Sequence, residues 1–198
     1  MKATQARLAF LGILALFVIP LALAWLMYSG TIEYRPGATD NHGQLVEPPV
    51  PVDWSQASRS PGDTARASLA GVWVALYPLE QPCTERCLER VYQLRQVHRA
   101  AGRHADRIRI AVLNAAPTEG SMRQKLEAID DELVLLEQPE TAFMSAIERA
   151  GSDAIEPSVY LVDPLGNIMM TYEVNDSMSL LSKDLKKLLT WSKMDESS

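Results

Sequence analysis

The chain has 198 residues, with 25 Asp and Glu against 19 Lys and Arg and three histidines, for a net charge of −6 at pH 7. Setting aside Lys2 and Arg7, which precede the first apolar run, leaves 17 basic against 25 acidic residues, about −8 for the rest of the chain. A surface of that sign excludes nucleic acid as a partner and is ordinary for solubility.

Leu8 to Tyr28 (LAFLGILALFVIPLALAWLMY) contains no charged residue, and about 20 residues is what a helix needs to cross a hydrocarbon core about 30 Å thick. This is expected to be a single membrane span. A cleaved signal peptide fits less well, because its apolar core is about 7–15 residues and a small-x-small site should follow closely. Pro20 is tolerated in a spanning helix. Lys2, Arg7 and the amino terminus precede the span, whereas Ser29 to Ile32 carry no charge and the next basic residue is Arg35. The positive-inside bias then keeps the N-terminus in the cytoplasm. The expected location is the inner (cytoplasmic) membrane with the C-terminal part in the periplasm, or an intermembrane space if the source is an organelle. Disulfides form and persist on that side.

The expected organisation is a cytoplasmic tail over 1–7, the transmembrane helix over 8–28, an extended tether over 29–65 and a domain over 66–198. The tether is rich in breakers, among them Pro36-Gly37, Asn41-His42-Gly43 and Pro48-Pro49-Val50-Pro51. It cannot hold a long helix; Gln44-Leu45-Val46 is its one short strand. Beyond it lies one compact α/β unit of about 130 residues, enough for a single core. Leu69–Leu76 reads as a buried strand ending at Pro78. Pro82 to about Ala101 reads as a helix stopped by Gly102. Ile108–Leu113 is a second strand, Ser121 to about Asp130 a helix and Leu133–Leu136 a strand. Thr141–Ala150 is a helix closed by Gly151. Pro157–Val162 and Ile168–Tyr172 form a hairpin across Asp163-Pro164-Leu165-Gly166-Asn167, and Leu180 to about Trp191 is a last helix. The alternation predicts a parallel core sheet with the hairpin as its antiparallel edge.

Cys83 and Cys87 are the only cysteines. Four apart on a helix, they share a face, at a Cα separation that a disulfide can bridge. Three readings are open: two buried inert thiols, a structural bridge, or a reactive pair. The third is favoured, since a loop this short restrains the unfolded chain little and the compartment is oxidising. A thiolate is both the nucleophile and the soft-metal ligand, and a helix N-terminus favours its negative charge. Cys83, at the helix start, is then the attacking sulfur and Cys87 the resolving one. Arg86 adds positive charge nearby, Glu85 opposes it, and the sequence leaves that balance open. Trp73, Tyr77 and Tyr92 read as core and rim of the site.

The order strand, cysteine-bearing helix, strand, helix, strand, helix, hairpin and last helix resembles the thioredoxin fold, a three-layer α/β domain. Within it, the anchor, the C-x-x-x-C spacing and Tyr160-Leu161-Val162-Asp163-Pro164-x-Gly166 resemble the Sco/SenC family, copper chaperones that help assemble cytochrome c oxidase. The likeness runs from about Gly71 to Trp191. It implies Cu(I) as a cofactor held by Cys83 and Cys87, which suit a soft ion, and an oxidase subunit or copper chaperone as partner. The family completes its copper site with a histidine five residues before the tyrosine, where this chain has Ile155; His42 in the tether, His98 and His104 are no obvious substitutes. Pro157 occupies the place where thioredoxin-like oxidoreductases carry a cis proline facing the cysteines, and the cis form of an X–Pro bond costs only about 0.5–1 kcal/mol. A strand-initiating trans proline is the alternative. The residues therefore favour thiol–disulfide chemistry, which the resemblance places in oxidase biogenesis, then a Cu(I) chaperone, then an assembly scaffold with a fixed disulfide.

Overall fold

The computed structural model describes residues 2–29, 40–57, 69–79, 83–115, 118, 120–130, 132–151, 157–173 and 175–191. They fall into two compact units, Met1–Asp40 and Asn41–Ser198. The first contains α1 (Lys2–Tyr28), a 27-residue helix with Pro20 inside it. Its apolar side chains are exposed, Phe10, Ile13, Phe17, Leu21 and Trp25 among them. Among the described residues no helix is long and apolar enough to cross a membrane.

The second unit is built on one six-stranded sheet. Its strands are β1 (Gln44–Pro51), β2 (Trp73–Leu79), β3 (Ile108–Asn114), β4 (Val134–Glu137), β5 (Pro157–Val162) and β6 (Asn167–Glu173), in the order β1-β6-β5-β2-β3-β4. The helices are α2 (Glu85–Ala100), α3 (Gly120–Ile129), α4 (Thr141–Ala150) and α5 (Met178–Trp191). β2, β3 and β4 pair in parallel, and β5 returns antiparallel beside β2.

Alternation along the strands sorts the side chains to two faces. Val74, Leu76, Ala111, Leu113, Tyr160 and Val162 pack with Phe143, Ala146 and Ile147 of α4. Their neighbours Trp73, Ala75, Ile108, Ile110, Val159 and Leu161 pack with Leu94 and Val97 of α2 and Leu181, Leu185 and Leu189 of α5. The result is three layers, with α4 on one face and α2, α3 and α5 on the other. At about 0.8 kcal/mol per buried CH2 group, these two clusters carry the larger share of the hydrophobic stabilisation. The indole Nε1 of Trp73 is buried in the second without a hydrogen-bond partner.

Three expectations change. The hairpin is not the sheet's edge: β5 sits beside β2 and β6 is covered by β1, which extends from Gln44 to Pro51. An edge suits β1, because Pro48, Pro49 and Pro51 have no N–H to give an outer neighbour. The first core strand starts at Trp73 rather than Leu69, since Gly71 turns the chain with φ of 77°, a conformation glycine adopts without steric cost. That strand also runs through Pro78 to Leu79 in register with β3, while its pairing with β5 stops at Leu76. The hairpin turn is as expected, with Gly166 at φ 86° and the Asp163 carboxylate accepting the Leu165 and Asn167 N–H groups at 2.9 and 2.8 Å.

Candidate functional site

The parallel strands β2, β3 and β4 all end at one edge of the sheet, and α2 begins there. Thr84 is the N-cap of α2, with extended backbone (φ −114°, ψ −178°) and its carbonyl accepting the Leu88 N–H at 3.1 Å. Cys87 is therefore the third residue of the helix, and Cys83 lies before the cap. The pair does not share a helical face as the four-residue spacing suggests, because the helix starts two residues after Cys83. The extended turn at Thr84 still brings the two Cα atoms to 5.3 Å, and a disulfide joins the sulfurs.

The two sulfurs have different surroundings. Cys87 is 4 % exposed and packs with Leu79, Val91, Val112 and Leu126, whereas Cys83 is half-buried at the margin of the same cluster. Tyr77 packs against that cluster too. Burial raises the pKa of its hydroxyl, and the charges of Arg90 and then Arg86 partly offset the rise. Arg90 also donates to the Asp176 carbonyl at 3.4 Å, joining α2 to the start of α5.

Pro157 opens β5, opposite Glu173 of β6. The β2–β5 register pairs Val74 with Val162 and Leu76 with Tyr160; continued, it brings Pro157 level with Leu79, at the sheet edge from which the cysteine segment leaves. Pro82 and Ile155, and so the position of the family's histidine, lie outside the described residues.

Sequence reasoning missed a polar cluster at the same edge. Asn114 ends β3 with 5 % exposure and donates to the Thr118 hydroxyl at 3.3 Å. Thr118 N–H donates to Glu137 at 2.8 Å, and Arg123 reaches the other carboxylate oxygen at 2.7 Å. Burial acts to raise the Glu137 pKa, but the Thr118 hydrogen bonds and the Arg123 charge outweigh it and hold the carboxyl below its usual value. A polar residue closing an apolar strand is the one hint of this in the sequence.

The histidines are elsewhere. His42 Nδ1 lies 2.9 Å from Asp184 of α5. The His42 and Gly43 N–H groups donate to the other Asp184 oxygen at 2.9 Å each, and the Tyr172 hydroxyl does so at 3.0 Å. Asp184 is 2 % exposed and, as a carboxylate, only accepts, so Nδ1 carries the proton. Three strand spacings separate β1 from β2, about 14 Å, which keeps His42 from the cysteines. His98 Nε2 lies 2.9 Å from the Ala105 carbonyl oxygen, and His104 accepts from Arg103 at 3.2 Å. Among the described residues no group of three potential ligands stands ready for a metal.

A three-layer α/β domain with a C-x-x-x-C disulfide at the start of its first core helix is a thioredoxin-like protein. The chain belongs to the family described as "transmembrane-like, thioredoxin-like, C-terminal domain", whose model matches residues 73–192. Among solved structures it resembles apo Sco1 from Thermus thermophilus, at 11 % identity over 78 % of this chain and 98 % of that one, with a TM-score of 0.51. It also resembles yeast Sco1 with copper bound, at 12 % identity over 66 % and 85 %, with a TM-score of 0.50. Arabidopsis thaliana ScoI with copper bound follows at 15 % identity over 63 % and 88 %, with a TM-score of 0.48. At these identities the likeness is one of fold. No curated protein matches the chain in sequence.

Proposed function

We propose that the chain is a membrane-anchored thiol–disulfide protein that acts in cytochrome c oxidase assembly by keeping a partner's thiols or copper ligands in their working redox state. The observation that carries this is the Cys83–Cys87 disulfide with one sulfur approachable and the other buried. A partner thiolate attacks Cys83 Sγ, a bond forms between them, and Cys87 leaves as a thiolate in the first turn of α2, where unpaired N–H groups favour negative charge. A second partner thiolate then attacks its own sulfur in the mixed disulfide and releases Cys83. The partner has lost two electrons, the pair has gained them, and the two partner protons pass to the released thiolates. Run backwards, the same steps reduce a partner disulfide, with Cys83 attacking and Cys87 resolving. Pro157 opens β5 at the same sheet edge.

The anchor rests on the uncharged run from Leu8 to Tyr28 and on the basic residues before it. The expected result is that the full chain stays with bacterial membranes in alkaline carbonate, and that protease added to spheroplasts digests the domain; release by carbonate would remove the anchor from the reading.

A second reading, delivery of Cu(I), is favoured by one observation: two thiols close enough to hold one soft ion. Yeast Sco1 has been solved with copper bound. The donor set fits Cu(I) through Cys83 and Cys87 and fits Cu(II) poorly, because His42, His98 and His104 are engaged elsewhere. One preparation separates the readings. The full chain in detergent is equilibrated with glutathione, then reduced and dialysed with copper. The redox reading expects reversible opening of the disulfide and at most weak copper retention. A reduction potential well below about −300 mV with no copper would sink both, leaving a fixed disulfide in a scaffold. One tightly held equivalent, lost in Cys83→Ala, would put copper first.

A further inference from the structure

The residues between the two cysteines carry opposite charges, Glu85 and Arg86, and the structure decides between them. Glu85 reaches across to α3, where its carboxylate meets Lys125 Nζ at 3.1 Å. Arg86 makes no ion pair with an acidic side chain among the described residues. Together with Arg90, one turn on, it acts on the Tyr77 hydroxyl, whose ring packs against the cluster that holds both cysteines. Glu85 and Lys125 together contribute little net field, which leaves Arg86 as the cation between the cysteines that no ion pair among the described residues offsets.

We propose that Arg86 is a positioning residue for disulfide exchange, stabilising the negative charge that develops on sulfur when the disulfide opens, and that Lys125 serves the same end by neutralising Glu85. This rests on the thiol–disulfide reading above. Cations beside the pair favour its reduced, thiolate-bearing form over the uncharged disulfide, which makes the bond easier to open and the pair more oxidising. Both Glu85 and Lys125 are more than half exposed, so water and salt weaken each charge. A single unit charge in such surroundings is worth about a threefold change in the equilibrium.

The test is the equilibrium constant of the full chain in detergent with reduced and oxidised glutathione, at low and at high salt. Arg86→Gln is expected to lower the reduced fraction, with the constant falling about threefold, and Arg86→Lys to restore it. Lys125→Gln is expected to shift the constant the same way, and that shift should vanish when Glu85→Gln is added. All the differences should shrink in 1 M salt, where screening acts within about 3 Å; a merely structural role would not respond in this way. Constants that stay within 1.5-fold of one another would overturn the proposal, as would a Lys125→Gln effect that persists alongside Glu85→Gln. A wild-type disulfide that glutathione never opens would instead bring down the underlying reading.

Discussion

Asp184→Ala is expected to cost the domain about 3–5 kcal/mol, the range for removing one partner of a buried charged network. The carboxylate accepts four hydrogen bonds, from the His42 ring, the His42 and Gly43 N–H groups and the Tyr172 hydroxyl. Without it these donors are stranded, at about 1–3 kcal/mol for each one that stays buried. Repacking is limited, because a side-chain carbon at Gly43 would already stand 2.7 Å from the Tyr172 ring. Asp184→Asn keeps one acceptor oxygen in place and should lose less, about 1–3 kcal/mol. Urea unfolding of the full chain in detergent, followed by tryptophan fluorescence, measures both; a loss below about 1 kcal/mol for the alanine variant would mean that the network holds nothing together.

The pH dependence of that difference has a definite sign. Burial acts to raise the Asp184 pKa, but the hydrogen bonds from His42, Gly43 and Tyr172 outweigh it and hold the pKa below its usual value. A carboxyl depressed in the folded state contributes fully above its unfolded value, about 3.9, and loses that contribution as pH falls through the lower folded value. The part of the gap between wild type and Asp184→Asn that comes from this carboxyl should therefore persist at neutral pH and be lost only in acid, as pH falls through the lowered folded value. The Tyr172 hydroxyl, driven upward by burial and then by the Asp184 charge, stays protonated throughout and remains a donor.

The largest effect on activity is expected at the cysteines. Cys83→Ala should bring exchange with a model disulfide down to the uncatalysed background, because the half-exposed sulfur is the one a partner can reach. Cys87→Ala should behave differently: Cys83 can still attack, but nothing resolves the product, and a mixed disulfide with the partner accumulates. Mass spectrometry of non-reduced samples distinguishes the two, and trapping by Cys87→Ala but not by Cys83→Ala is the expected pattern. The reverse pattern would exchange their roles. Neither variant should unfold the domain, since a bridge closing so short a loop contributes about 2 kcal/mol or less.

Most elements of this fold were legible in the chain because they rest on local physics. An apolar run such as Ile108–Leu113 must be buried, and a stripe such as Cys87, Val91, Leu94 and Val97 must face a core, wherever that core lies. The turn at Asp163–Asn167 follows from a carboxylate that caps its own backbone and a glycine at positive φ. The helix start was misplaced for a local reason as well. Proline and the cysteine spacing point to Pro82, yet α2 begins at Glu85, with Thr84, extended and accepting the first helical hydrogen bond, as its cap.

What the chain determined by itself was two cysteines four apart ahead of an amphipathic helix, an uncharged apolar run near its N-terminus, and a strand–helix alternation that admits few folds. Only the tertiary structure decided the rest. The order of strands, with β1 outside β6, depends on hydrogen bonds between distant segments that no local pattern encodes. His42 reads as a turn residue until folding brings Asp184, 142 positions away, against it. Glu85 and Arg86 cancel on paper, and only the packing of α3 beside α2 sets Lys125 against one of them. Charge and hydrogen bonding act through space over a few ångströms, so which partner a side chain meets is fixed by the fold and not by its neighbours in sequence.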